Sequence, residues 1–165
     1  MGVEIFTRPV QVTDSMCLDG FSSGCSFVDL WIITHGHSAK KQGTAVVYVT
    51  HRDGADITAE APAGFYTLST SAVARDSVTG GWLKRNSPDQ IPVILLGVLG
   101  VDARYQKCGL GKMLLHDAAV RAMGIADLLG AKALVVDPID QAATNFYLHN
   151  GFRIIPGTSR MFAKL

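Results

Sequence analysis

The sequence predicts an α/β fold, a mixed central sheet with helices on both faces, and three observations predict it. Strand and helix periodicities alternate almost throughout, with no internal repeat and no low-complexity tract. The run Val93-Ile94-Leu95-Leu96 is apolar on both faces, as in a strand interior to its sheet. Finally, residues 92–101, a long helical stretch over 109–129 and the buried run Ala133-Leu134-Val135-Val136 read as strand, crossover helix and neighbouring parallel strand.

Taken in order, Val3-Glu4-Ile5-Phe6 is the first expected strand. Phe27, Leu30, Trp31 and Thr34 stand at helical spacing and predict a helix over 26–39. Residues 44–50 are rich in β-branched side chains, the Asp53-Gly54 pair signals a tight turn, and Gly64-Phe65-Tyr66-Thr67-Leu68 is the returning strand. From 77 to 90 periodicity disappears while Gly80, Gly81, Ser87 and Pro88 accumulate, the composition of a mobile loop. The helix over 109–129 is rich in Leu, Met and Ala and is stopped by Gly130. A helix over 141–149, a break at Gly151 and strands at 152–155 and 161–163 complete the series.

At 165 residues and 48% apolar content, the chain is expected to form one domain over residues 1–165. No run approaches the length of a membrane span and no secretory leader is evident, so a cytoplasmic protein is expected. Cys17, Cys25 and Cys108 form no CxxC pair and no even set, which argues against a disulfide framework and against a metal site. The net charge of +1 leaves a polyanionic partner open, because a fold can gather basic residues on one face. Two clusters offer that: His35, His37, Lys40, Lys41, His51 and Arg52, and then Lys84 and Arg85 with Arg75 upstream.

The strongest chemical signal is Gln106-Lys107-Cys108-Gly109-Leu110-Gly111, between a buried strand and the first turn of a long helix. N–H groups at a helix start lack intrahelical partners and face the positive end of the dipole, so they bind anionic oxygens, and glycines let a phosphate come close. Lys107 and Lys112 add charge at either end. A glycine-containing connection used only for tight packing is the competing reading. A dinucleotide fingerprint is disfavoured, because Leu114 occupies the place of its third glycine.

In context the loop becomes specific. Leu99-Gly100-Val101-Asp102 followed by residues 105–115 resembles the acetyl-CoA loop of the GNAT N-acetyltransferases, Q/R-x-x-G-x-G/A. Residues 143–152, containing Tyr147, Gly151 and Phe152, resemble their closing motif A-x-x-x-Y-x-x-x-G-F. Phe21, Gly24 and Leu30-Trp31, then residues 64–68 and 91–97, further resemble the members of that family that are toxins acetylating the amino acid of charged tRNA. Where those toxins read Leu-Gly-Arg, this chain has Leu96-Gly97-Val98, on the same side of the strand as Gly100 and beside the expected acetyl site.

The resemblance implies a sheet splayed between its fourth and fifth strands, with the pantetheine arm of acetyl-CoA lying in the gap on backbone groups of Leu99 and Val101. It implies pyrophosphate binding by Gln106, Lys107, Cys108, Gly109, Leu110, Gly111 and Lys112, a pantetheine contact from Asn145, and Tyr147 as the acid that protonates the leaving thiolate. It also implies an aminoacyl-tRNA substrate, a small DNA-binding antitoxin as partner and a possible homodimer. Lys40, Lys41, Arg52, Lys84 and Arg85 are the expected phosphate contacts. Two alternatives stay open: an acetyltransferase for a small amine or protein amino terminus, and a weakly catalytic binding module within a DNA-bound repressor.

Overall fold

The computed structural model describes residues 5–165. In chain order its elements are β1 (Val10–Gln11), α1 (Ser26–His35), β2 (Val46–Thr50), β3 (Gly64–Ala74), β4 (Gln90–Val101), α2 (Leu110–Leu129), β5 (Ala133–Val136), α3 (Gln141–His149), β6 (Arg153–Ile154) and β7 (Met161–Lys164). The strands form a mixed sheet in the order β1-β2-β3-β4-β5-β7-β6. Contacts divide the chain into two compact units, one running to Thr67 and including Val98–Asp117, the other made of Leu68–Gly97 and Ala118–Leu165.

In the first unit β1 pairs antiparallel with β2, Val10 opposite Val49. Of the expected first strand, Val3 and Glu4 lie outside the described residues, and Phe6 makes an isolated antiparallel bridge with Arg52. The early helix ends at His35, shorter than its periodicity predicts. Gly36 follows, where a Cβ would stand 2.5 Å from Leu18 Cδ1, and the chain continues in turns to Gly43 at φ +71°. The core of this unit gathers Met16, Leu18, Phe21, Val28, Ile32 and Phe65. Phe21 meets Phe65 edge-on at 5.2 Å, and Trp31 stacks on the same ring at 6.3 Å. Such aromatic contacts add about 0.5–1.5 kcal/mol each beyond the area they bury.

In the second unit β4 pairs in parallel with β5 through Ile94–Leu134, Leu95–Val135 and Leu96–Val136. Strand β5 ends there, whereas β4 continues to Val101, five residues beyond its last partner in β5. On the other side of β5, β7 runs antiparallel from Ala133–Lys164 to Val136–Met161, and β6 pairs outside it. The stretch 77–90, with the composition of a mobile loop, is anchored: Val78 and Leu83 are buried in the core with Ile91, Val93, Val135 and Phe162. Two apolar anchors between the strand ends outweigh the local glycines, since burying a Val or Leu side chain is worth about 1.5–3 kcal/mol.

Candidate active site

Two glycines bring the end of β4 into close packing. A Cβ on Gly100 would lie 2.6 Å from Val28 Cγ1 of α1, and one on Gly64 would lie 2.8 Å from Leu114 Cδ1 of α2 and 3.0 Å from the Gly100 carbonyl. Strand alternation then turns Val98 and Gly100 inward and Leu99 and Val101 to the opposite face, both of the latter half-buried. Val98 is 7% exposed and belongs to the apolar cluster around Phe65. The side chain that stands where the toxin pattern carries an arginine is therefore a core residue. Its N–H donates to the Thr67 hydroxyl at 3.0 Å, a side chain taking the place of a backbone acceptor.

Asp102 governs the exit from the strand. Only 3% exposed, it accepts at one oxygen from the N–H and Nε of Arg104 (3.0 and 2.9 Å) and at the other from the Ser22 N–H (3.2 Å). Burial pushes this carboxyl up, but the Arg104 and Ser22 hydrogen bonds outweigh burial and hold it below the ordinary aspartate value. Gln106 then donates its amide to the carbonyls of Ser23 (2.7 Å) and Val101 (3.0 Å). The glutamine expected to bind the cofactor thus shapes the loop, fastening it to strand and to the segment before α1.

Past Gln106 the backbone turns left-handed twice, at Lys107 (φ +65°) and Gly109 (φ +86°). Consecutive N–H groups in such alternating conformations point toward one concavity, an anion-binding arrangement. Met113 makes the first bond of α2, to the Gly109 carbonyl at 3.1 Å, so the N–H groups of Leu110, Gly111 and Lys112 stay outside the helical ladder. Leu110 and Leu114 are buried and root the helix start. The Cys108 thiol is exposed and donates to the Tyr105 carbonyl.

In the second unit, Asp140 caps α3 by accepting the Ala143 N–H at 2.7 Å. Tyr147 is 9% exposed, its ring 5.3 Å from those of Phe146 and Phe152. Its hydroxyl makes no hydrogen bond to the described residues and, unlike His51 Nε2, is not buried away from solvent. Burial pushes its pKa up to about 12. Asn145 is exposed and its side-chain oxygen accepts from Gln141 at 2.9 Å.

The two basic clusters part company. Lys41 pairs with Asp14 at 2.8 Å, Arg52 with Glu60 at 3.0 Å, and Lys40 donates to the neutral Gln11 side chain at 2.5 Å. His37 Nε2 sits 2.9 Å from the Met16 carbonyl, and His51 is buried. Lys84 and Arg85, by contrast, form no ion pair among the described residues. Among those residues, no group of three or more His, Cys, Asp or Glu side chains could hold a metal, and no helix is long and apolar enough to cross a membrane.

The acetyltransferase (GNAT) domain family matches residues 43–154, a span that holds β4, the loop, α2 and α3. The chain belongs to the GNAT acetyltransferase family. It is 36% identical over 151 residues to a tRNA-acetylating toxin of Mycobacterium tuberculosis (strain ATCC 25618 / H37Rv), covering 92% of this chain and 87% of that protein. Its fold is similar to that of AtaT complexed with acetyl-methionyl-tRNAfMet, with a TM-score of 0.85, 23% identity and coverage of 97% and 95% of the two chains. A tyrosine-to-phenylalanine variant of AtaT, bound to the C-terminus of the antitoxin AtaR and acetyl-CoA, matches with a TM-score of 0.77, 22% identity and coverage of 96% and 92%.

As a GNAT acetyltransferase, the chain splits its expected site residues between the units: Leu99, Val101 and residues 106–112 in the first, Asn145 and Tyr147 in the second. Sequence reasoning missed Asp102 and Thr67. For Asp102 the signal was present, an aspartate directly after a strand and ahead of a turn, where it caps free N–H groups.

Proposed function

We propose that the chain is an acetyl-CoA-dependent N-acetyltransferase that acetylates the amino group of aminoacyl-tRNA and so blocks translation. One observation carries the chemistry: a loop with two left-handed residues opens onto the unpaired N–H groups of α2, directly after a strand that outruns its neighbour by five residues. The N–H groups of Leu110, Gly111 and Lys112, with the charges of Lys107 and Lys112, suit a pyrophosphate. The length of β4 beyond its last β5 partner among the described residues, through Leu99 and Val101, suits an extended amide-bearing arm that hydrogen-bonds like an added strand. The 36% identity to a tRNA-acetylating toxin across 92% of the chain supports the acceptor.

In this reading the acceptor amine attacks the thioester carbonyl, a backbone N–H of β4 stabilises the oxyanion, and the carbon–sulfur bond breaks as the intermediate collapses. The amine loses one proton on becoming an amide, and coenzyme A gains one as its thiol. Tyr147, at a pKa of about 12, stays protonated at neutral pH. A thiol titrates near 8.5, so full transfer from that phenol would run uphill. Its contribution is the hydrogen bond that stabilises the departing thiolate, while the amine's own proton, relayed by water, completes the thiol.

The proposal also comprises one functional domain over residues 1–165, a cytoplasmic location, a small DNA-binding antitoxin as partner and a homodimer. Phosphate contacts are assigned to Lys40, Lys41, Arg52, Lys84 and Arg85, of which Lys41 and Arg52 also pair with Asp14 and Glu60. The test is transfer of labelled acetyl from acetyl-CoA to a pool of charged tRNA. Label on the tRNA that disappears in Tyr147→Phe supports the proposal; label only on small amines sinks the acceptor.

A further inference from the structure

Alternation along β7 sends Phe162 and Lys164 to one face, and pairing with β6 sets Arg153 directly opposite Phe162. Arg153, Phe162 and Lys164 line a cavity of about 360 Å³ at this edge of the sheet. Trp82 packs against that lining: its ring stacks on Phe162 at 6.0 Å with only 4° between the planes. The ammonium groups of Lys132 and Lys164 lie 4.8 and 4.9 Å from the centre of the same indole. Lys132 also donates to the Arg85 carbonyl (2.6 Å) and the Ser87 hydroxyl (2.7 Å), which fastens the second basic cluster to the cavity.

None of Arg85, Lys132, Arg153 and Lys164 pairs with a carboxylate among the described residues. Two ammonium groups that share one indole at these distances lie within about 10 Å of each other, no more than one Debye length at 0.1 M salt. Solvent ions screen their repulsion only in part, and the Trp82 ring that both contact favours a positive charge at each. Burial, and after it the Arg85 guanidinium, hold Lys132 below the usual lysine value, in keeping with a site short of negative charge.

We propose that this cavity is a second anchoring point for the RNA body of the acceptor, taking a phosphate between Arg153 and Lys164 with its ribose or base against the half-buried Trp82, which the buried Phe162 ring backs. The inference rests on the aminoacyl-tRNA reading and adds to it a contact made by β6, β7 and the loop that carries Trp82. Cations alone would suit any anion, an acidic peptide included. Cations set around a half-buried indole suit a nucleotide, whose phosphate and planar parts engage both kinds of group.

The test uses the full chain and fluorescently labelled uncharged tRNA, with anisotropy read across a series of salt concentrations, and in parallel the KM for charged tRNA in acetyl transfer. The double substitution Arg153→Glu with Lys164→Glu is expected to weaken tRNA binding and raise KM about ten-fold or more, and to lower the slope of log affinity against log salt by about 1.5. Both residues are exposed, so circular dichroism should match the parent. The conservative pair Arg153→Lys with Lys164→Arg should restore affinity and slope. Unchanged tRNA affinity, KM and slope in the charge-reversed protein would overturn the inference, as would a loss confined to binding of poly-glutamate. Because anisotropy needs no turnover, a parent chain that binds tRNA at this cavity yet labels none would defeat the acceptor assignment and leave the cavity assignment standing.

Discussion

The Gln106 side-chain amide donates to the carbonyl of Val101 at 3.0 Å, so the residue that opens the loop also grips the strand the loop has just left. With the second bond to Ser23 at 2.7 Å, three segments meet at one amide. Gln106→Ala removes both bonds at an exposed site, where each is worth about 0.5–1 kcal/mol. The expected result is a five- to thirty-fold weaker affinity for acetyl-CoA by calorimetry, about 1–2 kcal/mol. An unchanged affinity would mean that the loop keeps its shape without the clamp.

Tyr147→Phe removes a hydroxyl that has no hydrogen-bond partner among the described residues, so no stability should be lost at neutral pH. Acetyl transfer should nevertheless fall about 10²- to 10³-fold, the usual effect of deleting one donor aimed at developing charge. Thermal melting and single-turnover transfer, measured side by side, separate the two roles. A variant that melts earlier and keeps its rate would make Tyr147 a packing residue.

The same phenol predicts an alkaline signature. Burial raises its pKa from 10.0 to about 12, so between those values the unfolded chain gives up a proton that the folded chain keeps. The unfolded state then binds fewer protons, and stability must fall as pH rises through this window. The loss attributable to Tyr147 approaches about 2–3 kcal/mol by the top of the window. Urea titrations at pH 9 and pH 11.5 should show a steeper loss for the parent than for Tyr147→Phe; equal losses would contradict the burial argument.

His51 supplies the acidic counterpart. It is 2% exposed, its Nε2 is buried without a partner among the described residues, and burial lowers its pKa below 6.5 while Glu60 opposes the shift. Below pH 6.5 the unfolded histidine gains a proton more readily than the folded one, so stability is complete above that value and declines as pH falls through the folded pKa. Replacing His51 with Leu should flatten the dependence between pH 7 and pH 5 in denaturant unfolding. A parent chain with no decline over that interval would show that the ring is protonated in place.

At the base of the site, Gly100→Ala puts a methyl group 2.6 Å from Val28 Cγ1. Overpacking of this kind costs about 1–3 kcal/mol. The double substitution with Val28→Ala should recover part of that loss, since the methyl then enters space the valine has vacated, and a melting-temperature cycle reads the coupling. Additive effects would locate the strain elsewhere.

Where local chemistry and tertiary packing agree, sequence and structure coincide. The helix over 141–149 and the strand over 133–136 occupy the residues their patterns predict, and the long helix starts at Leu110, one residue later than expected. They diverge where a distant partner decides. Strand β1 is only Val10–Gln11 because Val49 and Tyr48 define its register, and β3 runs on to Ala74 although its pattern fades after Leu68. Composition located Lys41 and Arg52 but could not reveal that Asp14 and Glu60 neutralise them. Likewise the sequence gives no sign that Lys132 and Lys164, some fifty and eighty positions away, lie beside the Trp82 ring.

Lys107 holds a left-handed backbone that glycine would adopt freely, at a cost of about 1 kcal/mol or more. Exchanging it for glycine would relieve that strain and subtract a positive charge from the mouth of α2 in the same step. The chain therefore carries a stability deficit at a position where a safer residue is one substitution away. Selecting variants for heat tolerance alone should enrich glycine at 107 and return proteins that endure longer and hold their anionic co-substrate less well.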